Sequence, residues 1–467
     1  MPHPFQRTLT LADTLRLGLF QACLGALSVI FAGMLNRVMI SELAFPGLLV
    51  GLALAFEQFV SPSRVLFGQL SDAVPIAGRR RVPYVLIGVV LLGALAVLAI
   101  PLIFHVATLL KAPSQPALAL GILALCGLMA GYGLAVSLAS TPYLALVIDR
   151  TDEAGRPRAT TIIWSMLTIG IVVGAMAISL SLRSRDQVRD PALLEPALAA
   201  FMLRAALMVV GLTVLATWGM EPSLAAAGGV ANASAAGREQ PLTLPRALRL
   251  IRSSRQVLIF FVFLLLFTLG LFLQDPILES YGAEVFGMPI AATASLNAFW
   301  GVGTLAGLSL GGLAVIPRLG KLGAARLGCR MIAAALALLI LAGVVTSVPF
   351  LQLVMVLFGL AAGIATNAAL CLMLDLTLPQ AAGTFVGLWG LAQAMARALG
   401  KVGGGGLLDI GRLLPEAAGP LPAFALVLAV ELLVTMAALA VLGRLNLHQF
   451  REDTDRSLAR VVAMELG

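Results

Sequence analysis

Residues 17–40 read LGLFQACLGALSVIFAGMLNRVMI, a run of 24 residues in which Arg37 is the only charged side chain. About 20 apolar residues are enough for a helix to cross the hydrocarbon core of a bilayer. A guanidinium in hydrocarbon costs at least ~2.5 kcal/mol, so it normally faces a protein interior, a cavity or a partner. The stretch therefore predicts a membrane protein with a polar interior, to which Asn36 and Arg37 contribute.

The composition of the whole chain also indicates a membrane protein. Of its 467 residues, 60% are hydrophobic and 12% are charged, and the mean hydropathy is +1.00. A soluble domain carries about 25% charged residues. We therefore expect an all-α polytopic membrane protein with about twelve transmembrane helices. The predicted spans are residues 15–41, 47–71, 82–109, 117–148, 160–182, 197–220, 257–281, 289–316, 324–347, 350–377, 382–408 and 421–444.

The Lys and Arg residues between the spans predict the orientation of the chain. With the amino terminus in the cytoplasm, the cytoplasmic segments hold 21 of these residues and the opposite loops hold 5. By the positive-inside rule, both termini are then cytoplasmic. The first span is too long for a signal sequence and lacks a small-residue cleavage site, so we expect it to be retained. Because the net charge of +8 is spread over six membrane-flanking segments, the expected partner is the lipid bilayer and not a nucleic acid.

Residues 222–256 are the only long interruption of the apolar pattern, and they divide the chain into halves. We expect a six-helix half at 1–221, a cytoplasmic linker at 222–256, a second six-helix half at 257–445 and a cytoplasmic tail at 446–467. Four Arg residues stand three apart in the part of the linker from 244 to 255. That spacing suits a short helix on an anionic membrane surface, and it equally suits an ordinary basic linker.

The two halves carry matching sequence features. The motif Asp-x-Thr ends spans four and ten, at Asp149 and Asp375, and a Trp follows 15 or 14 residues after the Asp. A second match aligns residues 36–37 with residues 274–275. Two six-helix halves joined by a cytoplasmic linker are the plan of the major facilitator superfamily, in which a site near the midplane lies between the halves. We therefore predict that fold.

A polar motif lies at the cytoplasmic turn between spans two and three. Gly68 and Asp72 precede three consecutive arginines at 79–81, an arrangement that resembles the Gly-x-x-x-Asp…Arg-Arg signature of the superfamily. In the superfamily these residues clamp helix ends in one state, and the resemblance implies the same role here. The predicted cytoplasmic gate comprises Gly68, Asp72, Arg79, Arg80, Arg81, Asp149 and Asp375.

Span two carries several polar residues. Three of them and a glycine are spaced to lie on one face of a 3.6-period helix, and that face must point inward; they are Glu57, Arg64, Gly68 and Asp72. Pro62 lies among them and should kink the helix, because proline lacks a backbone donor. The depth of Arg37 in span one allows an ion pair with Glu57. Such a pair indicates either a substrate or proton site or a structural link between two helices, and we weigh the two equally.

The corresponding place in the second half is also polar. Gln274, Asp275 and Glu279 lie in span seven. No basic residue neighbours these carboxylates in the same span, so protonation or pairing with another span must neutralise them. Arg397 of span eleven is a candidate partner. The predicted intramembrane polar core or substrate path comprises Asn36, Arg37, Glu57, Arg64, Gln274, Asp275, Glu279 and Arg397.

Other sequence signals argue against catalysis. The chain has no Walker A sequence, no zinc-binding spacing and no nucleophile elbow, so we predict no metal, no nucleotide and no enzymatic activity. The four cysteines each stand alone in a predicted helix and should be buried free thiols. Gly170, Gly174 and the glycines of 400–406 are expected to allow close helix packing rather than ligand binding.

Four stretches of the chain resemble a narrower family. They are RLGLFQACLGALSVIFAGMLNRVMISEL (16–43), SPSRVLFGQLSD (61–72), RRRVPYVLIG (79–88) and GLWGLAQAMARALG (387–400). They resemble the PucC/LhaA family, the photosynthetic branch of the major facilitator superfamily, sometimes described as bacteriochlorophyll delivery proteins. Within it the chain looks more like the PucC type, associated with the peripheral antenna (LH2), than the LhaA type, associated with the core antenna (LH1). The reason is that the Trp expected before the arginines in the LhaA type is missing.

The resemblance implies an assembly factor for light-harvesting complexes in the photosynthetic, intracytoplasmic inner membrane of a bacterium. The implied partners are antenna polypeptides, of LH2 rather than LH1, and bacteriochlorophyll carried as cargo. The charges at Arg37, Glu57 and Asp275 favour a rival interpretation, a proton-coupled secondary transporter of a small or amphipathic solute. A scaffold with a relict transporter fold, in which these charges only hold helices together, is the third.

Overall fold

A computed structural model describes residues 10–111, 115–151, 156–182, 191–221, 255–375, 382–413 and 419–446. No β-strand occurs within these ranges, and Ile76 and Arg79 form only an isolated bridge. The helices are α1 Leu11–Glu42, α2 Gly47–Phe59, α3 Ser63–Ala73, α4 Val82–Lys111, α5 Gln115–Asp149, α6 Arg156–Leu182, α7 Pro191–Thr217, α8 Arg255–Phe272, α9 Leu278–Phe286, α10 Ile290–Leu310, α11 Ile316–Val345, α12 Val348–Asp375, α13 Ala382–Gly411 and α14 Leu421–Leu442. The all-α prediction is therefore confirmed for the described part of the chain.

Each of the twelve predicted spans falls on one of these helices or on two consecutive ones. Nine helical stretches within the described ranges are long and apolar enough to cross a membrane, and Ile290–Val345 alone covers predicted spans eight and nine. Span two is divided between α2 and α3, and Pro62 lies in the turn between them. The predicted kink at Pro62 is confirmed. The nine apolar helical stretches of the described ranges make the protein a multi-pass membrane protein.

The helix α1 departs from regular α-helical winding around its buried polar residues. π-Helical turns at Ser28–Met34 and Val38–Glu42 flank a short α-helical segment, Leu35–Arg37. Single π-helical turns inside longer helices are frequent at functional sites. In this irregular region the side chains of Asn36 and Arg37 are packed inside the protein, with only 2% and 4% of their surface exposed.

Predicted span seven is a broken helix. The helix α8 ends at Phe272 and α9 begins at Leu278, with turns at 273–277 between them. Backbone groups without helical partners are tolerated at membrane depth only where the protein itself satisfies them. Here the side-chain amide of Asn36 donates to the backbone carbonyl of Asp275 at 3.3 Å. The polar residue in α1 therefore satisfies part of the break between α8 and α9.

The described residues form two compact units. The first unit holds the described residues of 10–221, 275–301 and 401–424, and the second holds those of 255–274, 302–400 and 425–446. The first unit thus includes two stretches that follow the predicted linker. The predicted division into halves stays a prediction, because nearly all of the linker and of the tail lie outside the described residues.

Close helix packing at glycines is confirmed inside the first unit. A Cβ atom added at Gly170 of α6 would overlap the backbone carbonyl of Ala22 in α1, and one at Gly174 would meet the backbone of Ala26. Two backbones can approach this closely only where no side chain separates them. These two glycines are therefore packing positions.

The four cysteines occur as free thiols in the helices. Cys23, Cys126 and Cys329 are buried, and Cys371 is half-buried. The prediction of buried free thiols is confirmed for the first three. Cys371 is more accessible than expected.

Candidate functional site

A buried polar cluster surrounds Arg37 in the first unit. The guanidinium donates from Nη1 to the Thr293 hydroxyl at 2.6 Å and from Nη2 to the Glu42 carboxylate at 3.2 Å. Glu42 follows Arg37 by five residues, and π-helical winding, with its i to i+5 hydrogen bonds, brings such residues close together. Thr293 is fully buried near the start of α10. We call Asn36, Arg37, Glu42, Glu279, Thr293 and Asn297 the Arg37 cluster.

Glu279 is the second buried charge of the Arg37 cluster. Only 2% of this residue is exposed. Its Oε1 accepts a hydrogen bond from the Asn297 amide at 2.8 Å, whereas its Oε2 is buried and has no hydrogen-bond partner among the described residues. The carboxylate lies directly against the backbone of Gly33, where an added Cβ would overlap Oε1. Sequence reasoning named Glu279 but missed Gly33, which nothing in the local pattern distinguishes.

A further set of polar contacts links α9 to the end of α1 and to Arg412, which directly follows α13. Glu284 of α9 accepts a hydrogen bond from the Ser41 hydroxyl at 3.1 Å and forms an ion pair with Arg412 at 2.9 Å. Both charged side chains are partly exposed, and such pairs contribute little to stability individually. Their effect is to position α9 beside the carboxyl end of α1, next to the Arg37 cluster.

Glu57 has a different partner from the one expected. Its carboxylate pairs with Lys401 of α13 at 3.4 Å, while Arg37 pairs with Glu42. Lys401 also donates to the backbone carbonyl of Leu54 at 3.5 Å. The depth argument placed Arg37 and Glu57 at similar levels, but level alone does not determine which way a side chain points. Lys401 was missed, although it is the only charged residue of the glycine-rich stretch 400–406.

Lys401 reaches Glu57 because α2 and α13 pack backbone to backbone. An added Cβ at Gly405 would overlap the carbonyl of Gly47, and one at Gly51 would overlap the carbonyl of Lys401. Asp409 then caps α2, since its carboxylate accepts hydrogen bonds from the first two amides of the helix at 2.7 Å each. Pro46 at the N-cap position offers no side-chain acceptor. The cap is therefore supplied by a residue more than 300 positions away.

The predicted inward face of span two is not uniform in the structure. Arg64 and Asp72 are exposed, and Glu57 and Gly68 are half-buried. The turn at 60–62 interrupts the helix between Glu57 and Arg64. That the four residues share one inward face stays a prediction.

The predicted cytoplasmic gate is partly brought together. Arg81 forms ion pairs with Asp72 at 2.6 Å and with Asp149 at 3.1 Å, and it donates to the Ser71 hydroxyl at 2.7 Å. Gly68 lies one turn before Asp72 on α3. The side chain of Asp375 lies outside the described part of the chain. The gating role of these residues stays a prediction.

Glu221 joins the cluster of Arg81, Asp72 and Asp149, and sequence reasoning missed it. Its carboxylate accepts hydrogen bonds from the backbone amides of Arg80 at 2.6 Å, Arg81 at 2.9 Å and Val82 at 2.7 Å. Acidic groups are favourable at helix amino termini, where backbone amides lack intrahelical partners. Arg79 and Arg80 therefore flank a helix cap, and Arg81 alone of the three joins Asp72 to Asp149.

Arg81→Gln is expected to lower the free energy of unfolding by about 1–2 kcal/mol, between the values of exposed and buried pairs. The guanidinium is only 12% exposed, but its two carboxylate partners are 61% and 52% exposed, so water compensates part of the loss. Thermal unfolding in detergent measures the effect. Arg79→Gln is the matched control and should change stability by less than about 0.5 kcal/mol. Equal effects of the two substitutions would contradict the assignment.

The second unit holds a polar pair of its own. Gln274 and Glu431 are 5% and 0% exposed, and with its amide nitrogen facing the carboxylate, Gln274 donates to Glu431 at 3.0 Å. The Thr435 hydroxyl donates to the Gly270 carbonyl at 3.0 Å. Glu431 was missed, although a carboxylate in the middle of span twelve is a signal of the same kind as Arg37. Arg397 lies over the ring of Phe272 at 4.9 Å.

An apolar groove of about 1030 Å³ runs between α4 and α7 in the first unit. Small and apolar residues line it, and among the described residues of this lining only Glu195, near the start of α7, is charged. Ala94 belongs to this lining and is exposed. The groove and the Arg37 cluster are both candidate ligand sites.

Residues 34–450 match the family model described as PUCC protein. The chain belongs to the PucC family. The relatives of this PucC-family chain cover most of its length. The "Bacteriochlorophyll synthase 44.5 kDa chain" of Rhodobacter capsulatus is 32% identical over 93% of this chain and 96% of its own. "Protein PucC" of Cereibacter sphaeroides is 30% identical over 88% of this chain and 86% of its own. An "Uncharacterized protein in puhA-bchM intergenic region" of Rhodobacter capsulatus is 31% identical over 94% of this chain and 90% of its own.

Solved structures show the fold of this PucC-family chain. A bacterial homologue of the iron transporter ferroportin, in an inward-facing state, is similar with a TM-score of 0.64 at 16% identity, over 94% of this chain and 99% of that one. The nucleoside transporter NupG is similar with a TM-score of 0.64 at 14% identity, over 92% of this chain and 98% of NupG. At these identities the likeness concerns the fold alone. The predicted major facilitator fold is confirmed.

Proposed function

We propose that this protein is a non-enzymatic assembly factor for bacterial light-harvesting complexes, which binds antenna polypeptides and delivers bacteriochlorophyll to them. The observation that carries the proposal is the PucC-family match over residues 34–450. Relatives named as PucC proteins and as a bacteriochlorophyll synthase chain support a role in photosynthesis. The LH2 antenna is the proposed client rather than LH1.

The contacts of the buried charges support a binding role over catalysis. Arg37 is engaged with Glu42 and Thr293, and Glu57 is engaged with Lys401. Side chains that hold helices together in this way are poor candidates for attacking a substrate, since catalytic groups need access to the reacting atoms. The proposed site of action is the photosynthetic intracytoplasmic membrane, with both termini in the cytoplasm as the distribution of Lys and Arg predicts.

The groove between α4 and α7 is the surface that suits the hydrocarbon tail of the pigment. Ligand sites are concave and mostly apolar, with few polar groups. The groove has this character along α4 and α7, and Glu195, the one charged residue in the described part of its lining, lies near the start of α7. A phosphate-bearing lipid headgroup would be repelled by that carboxylate, whereas the metal centre of a tetrapyrrole would not.

Purification in mild detergent from membranes of an antenna-producing purple bacterium tests the function. We expect the protein to elute with bacteriochlorophyll absorbance and with antenna polypeptides identified by mass spectrometry. Absence of both from the purified fraction would contradict the proposed function. A solution assay with pigment precursors should show no synthase activity of the isolated chain.

Ala94→Phe tests the groove separately. The added ring should fill the groove and lower the amount of co-purified pigment several-fold, because the lining would no longer be open to the tail. Ala200→Phe is the matched control, since Ala200 is an exposed residue of α7 outside the groove. Equal pigment contents of the two variants would contradict the groove assignment and leave the family role intact.

A proton-coupled secondary transporter is the second candidate function, and the buried ionisable residues Arg37 and Glu279 favour it. Uptake of a solute into proteoliposomes that follows an imposed pH gradient and is abolished by Glu57→Gln would favour this candidate. Retained antenna assembly after Arg37 and Glu57 are neutralised together would favour the scaffold interpretation instead.

A further inference from the structure

Glu279 has one carboxylate oxygen with a donor and one without. Asn297 donates to Oε1 at 2.8 Å, while the buried Oε2 lacks a partner among the described residues. The residue is 98% buried, because the Gly33 backbone covers the carboxylate. An ionised carboxylate in such a place loses its hydration with little replacement, whereas the protonated form carries no charge. The surroundings therefore suit a carboxylic acid better than a carboxylate.

The charges around Glu279 have opposite effects on its ionisation. Arg37 of α1 attracts a negative charge at this position, and Asp275, just before α9, repels it. The Arg37 guanidinium, however, already serves Glu42. With Glu279 ionised, its carboxylate would share the Arg37 guanidinium with Glu42. Asn297 of α10 supplies only a neutral donor.

The helix that carries Glu279 is short and is bounded by non-helical backbone on both sides. Turns at 273–277 precede α9, and Gly287 ends it with a left-handed backbone, φ 66°. Residues of this kind serve as hinges because they absorb changes of backbone angle. Contacts of Asn36 with the Asp275 carbonyl and of Ser41 with Glu284 join this segment to α1.

We propose that Glu279 is a proton-binding site whose proton keeps α9 against α1. When the proton leaves, the O–H bond of the carboxyl group breaks, water accepts the proton, and a carboxylate remains beside Gly33. The new charge gains hydration only if α9 turns away from α1 about its two non-helical ends. The inference concerns the polar cluster itself and holds for an assembly factor as well as for a transporter.

Infrared difference spectroscopy of the full-length protein in detergent tests the proposal. As the pH rises, the wild type should lose the carbonyl band of a protonated carboxylic acid. Glu279→Gln should lack this titrating band, and Glu279→Asp should retain it at a shifted frequency. Glu284→Gln is the matched control, because that residue lies on the same helix in an ion pair, and its band should match the wild type.

Thermal unfolding against pH provides the second readout. A group that binds its proton more tightly in the folded state stabilises the fold at low pH, and this contribution is lost as the pH rises. The Tm of the wild type should therefore fall with rising pH more steeply than the Tm of Glu279→Gln. A wild type without a titrating carbonyl band, or a band that persists unchanged in Glu279→Gln, would overturn the proposal. If Glu279→Gln does not fold, the shifted band of Glu279→Asp decides the assignment.

Discussion

Arg37→Met is expected to lower the free energy of unfolding by about 3 kcal/mol or more, the range found when one partner of a buried ion pair is removed. Methionine preserves most of the volume, so the loss reflects charge and hydrogen bonds rather than a cavity. Glu42 would keep an uncompensated charge with a side chain only 21% exposed, and Thr293 would lose its 2.6 Å donor. Equilibrium unfolding in detergent measures the difference from the wild type.

Two further variants separate the contributions of Arg37. Arg37→Lys keeps the charge but loses the forked donors, so an intermediate loss is expected. Arg37→Met combined with Glu42→Gln should recover part of the stability, because the remaining partner is then neutral. Wild-type stability of Arg37→Met would contradict the structural assignment. A variant that folds normally yet fails in antenna assembly would instead support a functional role for this guanidinium.

Gly405→Leu is expected to destabilise the protein by about 3 kcal/mol or more, at or above the upper end for overpacked cores. The Cβ of the new side chain would overlap the backbone carbonyl of Gly47. A helix backbone cannot move aside as a flexible side chain can, so the two helices would have to separate. Separation of α2 from α13 would also remove the Asp409 cap and the Lys401 ion pair. Thermal unfolding in detergent should show a large fall in Tm.

Gly390→Leu is the matched control on the same helix. Within the described part of the chain, and apart from its own helix backbone, no atom lies within 4 Å of a Cβ added at Gly390, so the side chain meets open space. Leucine favours a helix over glycine by up to about 1 kcal/mol, and the expected effect is neutral or slightly stabilising. Similar losses for Gly405→Leu and Gly390→Leu would contradict the role of close backbone packing.

Much of the fold was predictable because it depends on local sequence. Apolar runs of sufficient length predicted the spans, and Pro62 predicted the interruption between α2 and α3. Gly170 and Gly174 at a spacing of four predicted a close helix contact, and the structure places α1 there. The order of Asp72 and the arginines at 79–81 also predicted a cluster of charges, and the structure pairs Asp72 with Arg81. These features are properties of single helices or of neighbouring turns.

Some members of the candidate site were predictable, but their pairings were not. Sequence reasoning selected Arg37, Glu57 and Glu279 because charges in apolar helices are costly. It paired Arg37 with Glu57, whereas the structure pairs Arg37 with Glu42 and Glu57 with Lys401. An ideal α-helix does not bring residues five positions apart together. The π-helical turn that brings Glu42 to Arg37 therefore could not be predicted from a periodicity of 3.6 residues.

The sequence by itself determined that the chain crosses a membrane as many helices, that it belongs to one family, and that a few charges must be enclosed. The tertiary structure alone decided which groups contact them: Glu42 and Thr293 beside Arg37, Lys401 beside Glu57, and the Gly33 backbone against Glu279. The physical reason is range. Hydrophobic length and helix periodicity act between near neighbours in the chain, whereas a buried charge is satisfied by whichever groups packing brings within about 3 Å.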